Sequence, residues 1–173
     1  SFKVKLIDKD ESIKVIDNKK LNIINVEFNF KKPFDKITIK SKEYIEKSFN
    51  IALQFFKNNE CLGLINGPIS KKYFLKGKFL GITEYLANKT KTKTEPVMLI
   101  YNNKISVCPI TTHLDISDVS KKLTKKKIIE KIEIINDFYL KIFKKKIKFA
   151  VTGLNPHCES FKKDNAEKKI IIP

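Results

Sequence analysis

The sequence predicts an α/β fold of three layers, in which helices cover both faces of a mostly parallel sheet and an antiparallel patch opens the chain. Short apolar runs that end in Gly, Asn or Pro alternate with segments of helical periodicity. The 173 residues are 42% hydrophobic, which is enough for a domain with its own core. We therefore predict a single α/β unit over residues 1–173.

The antiparallel patch is predicted over residues 2–30, where the runs KVKLI, IKVI and LNIINVEF alternate between apolar and polar positions. Pro33 ends this pattern. A helix is predicted next, with Ser41 as its N-cap and its end near Asn58. Its buried face is expected to carry Ile45, Phe49, Ala52 and Phe56.

Buried strands are predicted at residues 61–65 and 147–154, and a hairpin that turns at Asn102-Asn103 follows Pro96. Helices are predicted over residues 83–90 and in a long segment that Thr124 caps. The long helix has Lys on its outer face and apolar residues at core spacing, namely Ile128, Ile132, Ile135, Phe138, Tyr139 and Ile142.

The composition disfavours two classes of protein. The formal net charge is +17, but all 36 basic residues are Lys, whereas base readout and bidentate phosphate recognition draw heavily on Arg. We therefore predict no nucleic-acid partner and a solvated basic surface. No apolar run approaches the roughly 18 residues of a membrane span, and no secretory signal opens the chain. Three cysteines without a CxxC pair favour a reducing, cytoplasmic location.

The two histidines of the chain each follow a predicted strand. His113 comes after KISVCPITT, and His157 comes after KFAVTGLNP. Open α/β sheets bind their ligands at the carboxyl ends of strands, and a neutral imidazole is a good metal ligand. From the spacing alone, a shared metal site and two unrelated loop histidines remain alternatives.

Two further segments have side chains suited to a phosphate. GPISK presents Lys71 after a tight turn, and GITE places Thr83 at a predicted helix start. The alternatives are a plain strand-to-helix turn for GPISK and helix capping by Thr83. Neither a Walker loop nor a GxGxxG dinucleotide motif occurs.

Taken in order, the segments LINGPISK, FLGITEYLANKT, PVMLI, ITTHLDISDV, VTGLNPHCE and IIIP resemble the 4-hydroxythreonine-4-phosphate dehydrogenase family of vitamin B6 biosynthesis. The resemblance extends from about Lys40 to Pro173. It implies a fold like that of isocitrate and isopropylmalate dehydrogenases, and a longer two-domain dehydrogenase of which this chain is a fragment. It also implies NAD-dependent oxidation and decarboxylation of 4-phosphohydroxy-L-threonine to 3-amino-2-oxopropyl phosphate.

The resemblance also implies a site. The family holds a divalent metal ion, such as Zn, Mg or Co, with three histidines, of which two correspond to His113 and His157 and the third lies beyond Pro173. Lys71, Ile82 and Thr83 are the corresponding substrate-binding positions. The family builds its site at a homodimer interface, so the resemblance implies a homodimer and a small phosphorylated hydroxy-amino-acid substrate.

Two departures from the family pattern bear on the substrate. Ile82 stands where the family usually has a histidine, and an isoleucine side chain cannot donate a hydrogen bond. After NPH the chain continues with Cys158 and a Lys-rich segment, where the family has AGE and glycines. A related dehydrogenase of another phosphorylated hydroxy acid is therefore an alternative, and a Lys-rich nucleic-acid-binding module is a second one from another class.

Overall fold

A computed structural model describes residues 3–9, 16–158 and 165–173. The chain divides into two compact units, Ser1–Lys93 and Thr94–Pro173. In the described residues, the first unit has a strand pair and three α-helices, and the second has two α-helices with shorter helical turns. The single α/β unit over residues 1–173 stays a prediction.

The strands of the first unit, β1 (Val4–Ile7) and β2 (Leu21–Ile24), are parallel, with Val4 opposite Leu21. The prediction of an antiparallel patch is therefore wrong for these strands. The connection, residues 8–20, is long enough to return the chain to the end where β1 began, as a parallel pair requires. The apolar alternation indicates which side chains share a face, but it does not indicate the direction of the partner strand.

The core of the first unit is aromatic and joins three helices, α1 (Ser41–Lys57), α2 (Lys71–Phe74) and α3 (Ile82–Thr90). Each helix contributes one buried ring to it. The Phe49 ring centroid lies 5.8 Å from that of Phe74 and 5.5 Å from that of Tyr85, and the last two are 4.9 Å apart. Ring pairs at such distances contribute about 0.5–1.5 kcal/mol beyond their burial. This core holds the three helices together.

Helix α1 confirms the predicted helix but differs from the prediction in detail. Phe55 is buried, whereas Phe56 is 46% exposed, because the apolar face continues three residues after Ala52 and not four. Ser41 is the first helical residue and not the N-cap. Its hydroxyl donates a hydrogen bond of 2.7 Å to the Thr38 carbonyl oxygen.

An ion pair joins α1 to α3. Lys89 Nζ donates to Glu46 Oε1 at 2.9 Å, and the Lys89 ammonium also lies 5.7 Å from the centre of the Tyr85 ring. The hydrogen bond from Lys89 lowers the pKa of the Glu46 carboxyl, and the same bond raises the pKa of Lys89. The pair therefore stabilises the fold at neutral pH.

We expect this pair to make a small contribution that is lost in acid. Because the folded-state pKa of Glu46 is below its ordinary value of 4.5, the stabilisation is present above that pH and disappears as the pH falls through the lowered pKa. Both side chains are about one third exposed, so Glu46→Gln should lower the free energy of unfolding by about 0.2–1 kcal/mol at pH 7. Urea unfolding at pH 7 and pH 3 measures this. The exposed Glu133→Gln in the other unit is the control, and an equal loss at both pH values would contradict the assignment.

The second unit begins with an antiparallel bridge. The Ile100 N–H donates to the Val107 oxygen at 2.8 Å, and the Val107 N–H donates to the Ile100 oxygen at 3.0 Å. The turn between them is held by Asn102, whose Oδ1 accepts from the Lys104 N–H at 2.9 Å. This short bridge is the part of the predicted hairpin that the described structure contains.

Two α-helices follow, α4 (Ile116–Lys122) and α5 (Lys125–Phe138). The Thr124 side chain accepts from the Lys127 N–H at 3.2 Å, which confirms the predicted cap of the long helix. Ile128 and Ile135 are buried as predicted. Phe138, the last residue of α5, is 42% exposed, so its predicted core position is wrong. Ile142 is 51% exposed and lies in the π-helical turn Tyr139–Phe143 that follows α5, whose spacing differs from that of an α-helix.

Lys131 contradicts the prediction that lysines fill only the outer face of this helix. It is 7% exposed, as buried as Ile128 and Ile135. It lies three residues after the first of these and four before the second, so the helical repeat places it on the same face. The charge of a lysine predicts the opposite, exposed face of the helix.

The predicted buried strands at residues 61–65 and 147–154 are wrong. Within the part of the chain that the structure describes, neither segment pairs in a sheet. Leu62 and Ile65 are 95% and 98% exposed, and Val151 is 47% exposed. An apolar run is buried only where neighbouring strands and a helical layer cover it. The α/β character and the parallel pairing agree with the predicted class, and the three-layer arrangement stays a prediction.

Among the described helices, none combines the length and the apolar character needed to cross a membrane.

Candidate functional site

Both histidines lie in the second unit with exposed side chains. His113 precedes α4, whose N-cap is Asp115. His157 belongs to a short turn, Pro156–Cys158, in which its own φ and ψ are not helical. Both imidazoles are therefore open to a ligand from solvent.

The two histidines share an unusual backbone conformation. His113 has φ 57° and His157 has φ 61°, so both lie in the left-handed region. Side chains other than glycine reach this region at a cost of roughly 1–2 kcal/mol, and such residues cluster at functional sites. The left-handed residues Asn59, Lys91 and Lys144 have an ordinary explanation, because each stands at a helix end. No helix end explains the two histidines, and the same holds for Phe34 (φ 58°) and Cys158 (φ 55°).

The turn around His157 is tightly built. The Cys158 N–H donates to the Asn155 oxygen at 3.1 Å, which closes the turn, and Cys158 itself has φ 55°. Gly153 lies directly against this turn. A Cβ atom at Gly153 would stand 2.5 Å from Cys158 Sγ and 3.2 Å from Cys158 Cα, so a larger residue there would require the thiol to rotate and the turn to shift by a few tenths of an ångström. Sequence reasoning missed this contact, although the glycine of GLNPH was its signal.

The predicted reason for the histidine positions holds only in part. His113 follows the bridge residue Val107 at a distance of six residues, whereas the described segment before His157 contains no strand. Nor does the described part of the chain bring three His, Cys, Asp or Glu side chains close enough to hold a metal ion. Two exposed imidazoles suit Zn²⁺ or Co²⁺, and such an ion would need further ligands.

The other predicted site segments lie together in the first unit. Ile69 of GPISK and Ile82 of GITE both pack against the aromatic core that joins α1, α2 and α3. Lys71 is exposed at the start of α2, and Thr83 is exposed in the first turn of α3. The shared core therefore holds GPISK and GITE side by side.

The start of α3 corrects the prediction that Thr83 caps a helix. The N-cap is Gly81, and it makes no side-chain hydrogen bond, which leaves Thr83 as the second helical residue. A Cβ atom at Gly81 would stand 2.8 Å from Glu84 Oε2, so the glycine allows this carboxylate to fold back over the helix start. A carboxylate there is favoured by the helix dipole, and an anionic ligand would have to share the site with it.

The three cysteines are free thiols. Burial raises the pKa of the Cys108 thiol, which keeps it protonated and unreactive at neutral pH. Cys158 is exposed beside His157.

Comparison with known proteins places these segments in one family. Residues 1–173 match the family model described as pyridoxal phosphate biosynthetic protein PdxA. A 4-hydroxythreonine-4-phosphate dehydrogenase of a Sulfurihydrogenibium species is 33% identical over 157 residues, which are 88% of this chain and 47% of that protein. A protein with the same name from Wigglesworthia glossinidia brevipalpis is 31% identical over 99% of this chain and 53% of its own length. The chain spans about half the length of these two relatives.

Proposed function

Because the chain belongs to the family of pyridoxal phosphate biosynthetic protein PdxA, we propose that it forms part of an oxidoreductase of pyridoxal phosphate biosynthesis. The proposed reaction is the NAD-dependent oxidation of 4-phosphohydroxy-L-threonine with loss of CO₂, which gives 3-amino-2-oxopropyl phosphate. Relatives named 4-hydroxythreonine-4-phosphate dehydrogenase support the substrate.

The observation that supports the proposal is the exposure and the backbone conformation of the two histidines. His113 in TTHL and His157 in GLNPH are both exposed and both held in the left-handed conformation, although they belong to different turns. A backbone cost of roughly 1–2 kcal/mol at each position is consistent with selection for the direction of the imidazole. We therefore propose that these two side chains ligate a divalent metal ion together with at least one further ligand.

The metal, when bound, supplies a Lewis acid for the substrate oxygen. Lys71 and Thr83 are proposed to bind the phosphorylated substrate, the first through its ammonium group and the second through its hydroxyl. Ile82 cannot bind the phosphate as these two residues do, because its side chain packs on the core and offers no hydrogen bond. It is proposed to shape the apolar wall of the substrate site.

The proposed enzyme is cytoplasmic and acts as a homodimer. Three free cysteines suit a reducing compartment. Large apolar side chains that are exposed in the described chain, among them Leu62, Ile65 and Ile116, are consistent with a surface that another subunit covers.

The test of the proposed function is an NAD-reduction assay of the intact protein in which this chain occurs. With 4-phosphohydroxy-L-threonine and a divalent metal we expect turnover that EDTA abolishes and Zn²⁺, Mg²⁺ or Co²⁺ restores. No NADH production with any phosphorylated hydroxy acid would refute the proposal.

A second substrate is favoured by one residue. Because Ile82 offers no hydrogen bond, the substrate could be another phosphorylated hydroxy acid, such as a four-carbon sugar-acid phosphate. A substrate panel distinguishes the two: clear preference for 4-phosphohydroxy-L-threonine would eliminate this alternative. The Ile82→His variant should then shift the ratio of kcat/KM between the two substrates, with Ile69→Val as a control for disturbance of the same core.

A further inference from the structure

Glu167 is the most buried carboxylate of the described chain, with 2% of its surface exposed. It stands at the start of a π-helical turn, Glu167–Ile171. Burial of a carboxylate is costly unless hydrogen bonds compensate for the loss of water. The Glu167 side chain therefore needs a hydrogen-bond donor at this position.

That partner is Asn155. The Asn155 backbone N–H donates to Glu167 Oε1 at 2.6 Å, and the Asn155 side-chain amide donates to the same oxygen at 3.3 Å. Hydrogen bonds to a charged acceptor are short and roughly twice as strong as neutral ones. Among the described residues, Glu167 Oε2 is buried without a hydrogen-bond partner, so the bonds to Asn155 are what this side chain makes there.

The same asparagine anchors the turn that carries His157. Its carbonyl oxygen accepts from the Cys158 N–H at 3.1 Å, and its N–H is held by Glu167. His157 lies between the two ends of that turn with φ 61°. A fixed Asn155 peptide thus sets the direction in which the backbone leaves toward His157.

We propose that Glu167 is a positioning residue: through Asn155 it holds the turn that directs the His157 imidazole. The link to metal binding rests on the proposed function, whereas the link to the His157 turn rests on the hydrogen bonds alone. The proposal treats Glu167 as an outer partner of a ligand, a class of residue whose loss typically costs about 10- to 100-fold in metal affinity.

The experiment compares three variants of the intact protein with the wild type. Glu167→Gln keeps an acceptor for the Asn155 N–H, Glu167→Leu removes it, and Glu167→Asp withdraws it by one methylene and serves if the leucine variant does not fold. The exposed Glu133→Leu in the same unit is the matched control. The ring signals of the two histidines in NMR spectra are assigned by their loss in His113→Ala and in His157→Ala.

The first readout needs no metal. We expect Glu167→Leu and Glu167→Asp to speed hydrogen exchange of the Asn155 amide at least 10-fold and to shift the His157 ring signals while those of His113 stay in place. Glu167→Gln should resemble the wild type in both respects even if it unfolds more easily, which a merely structural role would not predict. Unchanged Asn155 exchange and His157 signals in both the leucine and aspartate variants would overturn the proposal.

The second readout is Co²⁺ binding, followed by the visible absorption of the bound ion. We expect an affinity about 10- to 100-fold weaker in Glu167→Leu and Glu167→Asp, and near wild type in Glu167→Gln and Glu133→Leu. If the wild type binds Co²⁺ no better than His157→Ala does, the proposed metal site fails and the first readout alone decides the role of Glu167. If the wild type binds and the leucine and aspartate variants bind equally well, positioning by Glu167 is refuted while the metal site stands.

Discussion

Replacement of either histidine by alanine is expected to lower the affinity of the intact protein for Zn²⁺ or Co²⁺ by more than about 100-fold, because loss of an outer partner alone costs about 10- to 100-fold. NAD reduction should fall with it. Both His113 and His157 are exposed, so their truncation removes little packing and should leave the midpoint of urea unfolding nearly unchanged. Isothermal titration of the metal-free protein measures the affinity.

The left-handed backbone supplies the control for this experiment. A glycine has no Cβ penalty at φ 57° or 61°, so His113→Gly and His157→Gly should be at least as stable as the alanine variants while they lose the same metal affinity. Metal affinity would then fall without a loss of stability, as expected of a conformation kept for function. Metal affinity and NAD reduction equal to wild type in both alanine variants would remove the histidines from the site.

The helices could be predicted from the sequence because their signals are local. The Thr124 cap and the spacing of Ile128 and Ile135 each involve residues within two turns of one another. The failures occurred where burial or direction depends on distant parts of the chain. The parallel direction of β1 and β2 is not encoded in the local alternation of either strand, and the exposure of residues 61–65 depends on which other elements cover them.

Individual site residues could also be predicted from the sequence, but the contacts that hold them in place could not. The resemblance selected His113 and His157, but no local pattern indicates that both are left-handed. Glu167 is twelve residues from the asparagine it binds, and in the sequence it reads as one charge in a Lys-rich helix. Lys131 illustrates the opposite error. Its charge predicts an exposed side chain, whereas its position in the helical repeat places it on the buried face. Such contacts are set by tertiary packing, which residue type does not encode.

The Gly153→Ala substitution is expected to disturb the same turn from its other side. The new Cβ atom would stand 2.5 Å from Cys158 Sγ, closer than such atoms pack, and 3.2 Å from both Cys158 Cα and Cβ, which is tighter than most such contacts. Rotation of the thiol can relieve the first contact, but the other two require the backbone of the His157 turn to shift. We expect a loss of about 1–3 kcal/mol in the free energy of unfolding, as for overpacked sites, and weaker Co²⁺ binding.

Two variants separate this contact from a general effect of alanine. Gly67→Ala is the matched control, because a Cβ atom there meets nothing within 4 Å, and it should leave both unfolding and Co²⁺ binding near wild type. Cys158→Gly removes two of the three atoms that Gly153→Ala would approach, Sγ and Cβ, and also relieves the positive φ of Cys158, so the double variant should recover most of the lost stability. If the two substitutions are simply additive, the space beneath the His157 turn is not what requires glycine at position 153.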